Sequence, residues 1–143
     1  MTGQSKVVLV VDQRPEPRER VAGWLMEAGY EVLTCPGPVA PSYTCVGGRG
    51  ELCPLALAAD VVVLDLELAS DTALAGTRAM KLLRYYLELG KGVVALGRPG
   101  DSVHPFEQGR VVLVGRPAER HALLRAVARH LVEGVVAHVA PGH

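Results

Sequence analysis

The stretch Val61-Val62-Val63-Leu64-Asp65-Leu66 decides the fold. It is short, β-branched and apolar, and it ends on a carboxylate. With no polar alternate positions to offer solvent, it reads as a central strand of a parallel sheet, covered on both faces. In open α/β sheets, ligands and chemistry gather just past the carboxyl ends of the strands. Asp65 falls at such an end, so the question is which other residues the fold brings there.

Around this strand lie 143 residues, the size of one domain with a core of its own. Hydrophobic residues make up 49% and the mean hydropathy is +0.22, which excludes a disordered chain. The formal net charge is zero. A nucleic-acid-binding domain needs a basic excess, so nucleic acid is not an expected partner. Apolar runs are strand-sized and no basic amphipathic helix is evident, so no membrane contact is expected either. The opening residues Met1 to Lys6 lack the apolar core and cleavage site of a signal peptide, and the expected location is the cytoplasm.

A second apolar run, Val7 to Val11, also ends on an acid, Asp12. Pro15 and Pro17 suit the start of a helix, whose first N–H groups are unpaired in any case. That helix is expected from about Pro15 to Ala28, with Val21, Trp24 and Leu25 on one face and Gly29 as its stop. Tyr30 to Thr34 reads as a short strand. From Cys35 to Ala59 only Pro54 to Ala59 could form a helical turn or two, because the rest is glycine and proline turn chemistry. After the Asp65 strand, a helix over about Thr72 to Leu89 offers Leu74, Met80, Leu83 and Tyr86 to a core. Val93 to Leu96 and Val111 to Val114 are strands, separated by a loop with Pro105 in it. A last helix is expected from Pro117 to about Val132, with Leu123, Val127 and Leu131 inward and Gly134 ending it. This gives a domain over residues 1–134 and a tail over 135–143. Strands alternating with helices give a doubly wound five-stranded parallel sheet. A flavodoxin-like order, 2-1-3-4-5, sets the first and third strands side by side, so Asp12 and Asp65 share an edge.

Several segments together carry a resemblance. They are Leu9-Val10-Val11-Asp12, Glu27-Ala28-Gly29-Tyr30-Glu31-Val32, Ala59-Asp60 running into the Asp65 strand, Gly100-Asp101, and Arg116-Pro117. Over Lys6 to Glu133 the chain resembles the receiver domains of bacterial response regulators, in an atypical form whose second helix is replaced by a Cys/Gly/Pro-rich loop. The resemblance implies that Asp65 matches the phosphoacceptor aspartate and that Asp12 matches one acid of a Mg²⁺ pair. It also places a backbone carbonyl at Glu67 on the metal. The departures are substantial. Gln13 stands where the second acid belongs, and an amide oxygen is a poor ligand for a hard cation. Gly97 replaces a hydroxyl residue, Leu113 an aromatic, and Arg116 a lysine, with a planar fork in place of a point charge. Phosphoryl transfer depends on positioned charge more than on one nucleophile. The residues therefore favour impaired or lost aspartyl phosphorylation, with a functional phosphoacceptor in a phosphorelay as the alternative. The resemblance further implies a signalling domain that is not an enzyme and that acts through a protein partner or self-association, a homodimer included.

All three cysteines, Cys35, Cys45 and Cys53, fall in the one irregular segment, spaced C-x9-C-x7-C. Loops this long in compact domains usually have a task. A disulfide, a soft metal or iron–sulfur cluster, and plain buried thiols all stay open, because the spacing fits no C-x2-C template. A cysteine-based redox or metal sensor on the same scaffold is thus a further alternative. The five histidines show no ligand spacing, and His121 and His130 are expected on a solvated helix face. Arg14, Arg18 and Arg20 read as an ordinary charged helix start.

Overall fold

A computed structural model describes residues 6–36, 53–66, 78–97, 110–115 and 117–139. Its strands are β1 (Val7–Val11), β2 (Glu31–Cys35), β3 (Val61–Asp65), β4 (Gly92–Gly97) and β5 (Val111–Gly115). All are parallel, in the expected order β2-β1-β3-β4-β5. β3 lies at the centre, with Val8 to Val11 paired along one side and Gly92 to Leu96 along the other. Helices α1 (Pro15–Glu27), α2 (Pro54–Ala58), α3 (Arg78–Glu88) and α4 (Arg120–Val139) complete the described elements.

The period-2 geometry of strands divides the core in two. Leu9, Val11, Val62, Leu64, Val93, Ala95 and Val111 face one way, onto Ala56 of α2 and Leu82, Leu83 and Tyr86 of α3. Val8, Val10, Val61, Val63, Val94, Leu96 and Val114 face the other, onto Val21 and Leu25 of α1 and Leu123, Ala126 and Val127 of α4. This two-sided cover is why the strands are apolar without alternation. Each buried leucine contributes about 1.5–3 kcal/mol of transfer free energy.

Local signals act where they are expected. Gly29 has φ 99° and closes α1, with its N–H donating to Met26 O and the Tyr30 N–H to Leu25 O. Gly90, φ 84°, repeats the device after α3 through Leu87 O and Tyr86 O. Both are glycine-closed helix ends that satisfy orphan carbonyls. α2 matches the expected turn or two, and the Cys53 N–H ahead of it donates to Tyr85 Oη at 2.9 Å. Leu74 and the side chain of Met80 lie outside the described residues.

Two expectations are corrected. α4 does not stop at Gly134 but runs on to Val139. One interior glycine costs a helix only about 1 kcal/mol, and no proline follows until Pro141. His130 is not solvated: it is half-buried, and its Nε2 lies 2.9 Å from Val93 O. A carbonyl only accepts, so Nε2 donates. The ring reaches the sheet because Gly92 leaves room for it. A Cβ there would lie 2.7 Å from His130 Nδ1 and 2.9 Å from Cγ.

Gly92→Ala is therefore expected to lower stability by about 1–3 kcal/mol in urea unfolding, by overpacking. Combining it with His130→Ala should cost less than the sum of the two changes. Strict additivity would show that the two residues do not pack.

Candidate functional site

In the β1–β3 register Val11 stands beside Leu64. The residues that follow, Asp12 and Asp65, therefore emerge together at the carboxyl edge of the sheet. Both are buried, at 2% and 0% exposure. The Asp12 N–H donates to Cys35 O at 3.1 Å, which ties β1 to the end of β2. Asp12 Oδ1 accepts the Arg14 N–H at 2.9 Å, the local turn that aspartate favours. Pro15 then starts α1 with its φ already preset for the helix.

This turn brings Arg14 back over the edge. Its Nη2 donates to Asp65 Oδ2 at 2.5 Å, and its Nε lies 3.6 Å from Asp12 Oδ1. Nε itself is buried and has no hydrogen-bond partner. Arg18, one helical turn on, donates from Nη1 to Asp12 O at 2.9 Å. One guanidinium thus serves both carboxylates. The carboxylates are sealed in, whereas the Arg14 side chain keeps 40% of its surface exposed.

Burial alone would weaken the charge on Arg14. The hydrogen bond and charge of Asp65, then the charge of Asp12, outweigh it and hold the guanidinium pKa above its ordinary value. Its stabilising charge is complete below the ordinary arginine pKa and is lost only as pH rises through the higher folded value. The ion pair therefore stays charged at the arginine end at neutral pH.

The sequence reading of Arg14 and Arg18 as a plain charged helix start is corrected here. Arg14 is the cation of the site, and Arg18 braces its main chain. A cation two residues beyond a turn-forming aspartate at a strand end is the signal that was available. Its partner Asp65 lies 51 positions away, however, and only the sheet order brings it near.

Of the other expected residues, Gln13 is half-buried beside Asp12, Gly97 is buried at the end of β4, and Leu113 on β5 is 41% exposed. Glu67, Arg116 and Cys45 lie outside the described residues, as do Asp101 and Pro105. Cys35 is buried at the end of β2, and Cys53 packs against the same core cluster. No disulfide joins these two. Any joint use of all three cysteines turns on Cys45.

Among the described residues, no group of three or more His, Cys, Asp or Glu could hold a metal ion. Mg²⁺ requires near-octahedral oxygen ligands at about 2.0–2.1 Å. Here Asp65 Oδ2 is bonded to a guanidinium, Asp12 Oδ1 to the N–H of the same residue, and Gln13 supplies no carboxylate. The described residues do not fit the ion.

No family model and no curated protein matches the sequence. Solved structures match the fold. A response regulator receiver domain protein from Methanospirillum hungatei JF-1 superposes with a TM-score of 0.66 at 18% identity, over 91% of this chain and 96% of that one. One from Clostridium thermocellum gives 0.67 at 19%, over 92% and 98%. The N-terminal domain of a response regulator/sensory box/GGDEF three-domain protein from Carboxydothermus hydrogenoformans gives 0.63 at 20%, over 92% and 99%. The chain has the CheY-like, flavodoxin-like receiver fold. Among the described residues, no helix is long and apolar enough to cross a membrane.

Arg14→Gln is expected to lower stability by about 2–4 kcal/mol, since it strands buried carboxylate charge; exposure of Arg14 keeps the loss below that of a fully buried pair. Adding Asp65→Asn should recover part of it. Arg20→Gln, at the exposed Arg20–Glu16 pair, should change stability by less than about 0.5 kcal/mol. Equal losses for Arg14→Gln and Arg20→Gln in chemical denaturation would contradict the placement of Arg14.

Proposed function

We propose that this chain is a receiver-like signalling domain that acts by docking to protein, either a partner or a second copy of itself, without aspartyl phosphorylation and without catalysing a reaction of its own. The observation that carries the reading is the Arg14–Asp65 pair. A carboxylate that is to attack phosphorus needs an accessible oxygen, with cationic charge placed on the incoming phosphoryl group. Asp65 is 0% exposed, and its Oδ2 already accepts from Arg14. Gly97, at the end of the neighbouring strand, has no hydroxyl to offer the phosphoryl oxygens. The fold is thus retained while the chemistry that usually accompanies it is poorly supported.

The described surface supports a docking role. A groove of about 340 Å³ runs between β5 and α4, lined by Val112, Leu113, Ala122, Arg125, Ala126 and Arg129 among others. It pairs an exposed leucine with two arginines, a mix of apolar anchor and charged rim common at protein interfaces.

The test is intact mass after incubation with Mg²⁺ and a small acyl-phosphate donor. The expected spectrum is unchanged. A single phosphoryl adduct that Asp65→Asn abolishes would overturn the reading in favour of a working phosphoacceptor.

A further inference from the structure

We infer that Arg14 is a built-in counter-ion: its guanidinium occupies the place at the Asp12–Asp65 edge that a divalent cation would need, so the domain holds its acidic edge together without metal. This deepens the proposed function and rests on it for the role of Asp65.

Charge is the first argument. Asp12 and Asp65 are two carboxylates buried at one sheet edge. Such a pair keeps both of its charges only with a cation close by. Arg14 supplies one from within the chain, at 2.5 Å from Asp65 Oδ2 and 3.6 Å from Asp12 Oδ1. A dication approaching the same oxygens meets a fixed positive charge and must expel it.

Expulsion would not clear the site, which is the second argument. The Arg14 main-chain N–H also donates to Asp12 Oδ1, at 2.9 Å. If the side chain swung out, that oxygen would remain engaged. Moving the main chain would disturb the start of α1, where Pro15 presets the helix and Arg18 holds Asp12 O. The third argument is local composition. With Gln13 in place of an acid, a displaced Arg14 leaves two carboxylates among the described residues of the edge, so a divalent ion there would depend on water for most of its coordination.

Binding of Mn²⁺ as a probe for Mg²⁺, followed by water-proton relaxation, tests this on the full chain. Wild type should show no saturable binding, and its unfolding midpoint should be the same in EDTA and in millimolar Mg²⁺ at matched ionic strength. Arg14→Gln releases Asp65 Oδ2 while Asp12 Oδ1 stays engaged by the main chain, so it should gain weak saturable binding, at least about tenfold above the wild-type background, and Asp65→Asn in that background should remove it. Saturable binding by wild type that Asp65→Asn abolishes would overturn the inference. So would a folded Arg14→Gln that binds Mn²⁺ no better than wild type. If Arg14→Gln is unfolded in EDTA, restoration of cooperative unfolding by Mg²⁺ supports it. If that variant folds in neither condition, the wild-type arm decides alone. Metal binding by wild type with no phosphoryl adduct would overturn the role of Arg14 only, whereas an adduct on Asp65 would overturn the proposed function.

Discussion

Burial of β3 on both faces is the constraint from which the rest follows. Every residue from Val61 to Leu66 is exposed by 1% or less. A strand buried in this way needs paired neighbours on both edges and helices on both faces, because no water reaches its backbone groups. β1 and β4 supply the edges, α1 with α4 one face, and α2 with α3 the other. The same burial carries Asp65 into a setting where a lone carboxylate charge would be costly. The site is a consequence of the core.

Arg14 resolves that cost from inside the chain. A turn made by Asp12 aims it, and the helix that starts at Pro15 keeps it there. The ion pair is sealed on the carboxylate side and open on the arginine side. This arrangement differs from a cluster of acids awaiting a metal. The protein's own cation stands at the edge where β1 and β3 end.

Much of the fold was readable in the residues, since it depends on short-range pattern. β-branched runs marked β1, β3, β4 and β5, Gly29 marked a helix end, and strand–helix alternation with the right-handed crossover rule limited the sheet order to a few choices, the observed flavodoxin-like one among them. Asp12 and Asp65 were readable as residues of the sheet's carboxyl edge because both close apolar runs. His130 and the end of α4 were misread. Gly134 reads locally as a helix stop, and the helix pattern around His130 says nothing of the strand it meets. Gly134 is accommodated within a helix, and Gly92 serves as the space into which a histidine from another element packs.

The sequence by itself determined the strands, their parallel character and the acid that closes two of them, because periodicity and burial are written in neighbouring residues. Only the tertiary structure decided what stands between those acids. Arginine is long and flexible, and its position in the chain does not say which carboxylate it reaches. Asp65 becomes its partner only after β3 has been inserted beside β1, and that neighbourhood exists in the folded sheet alone.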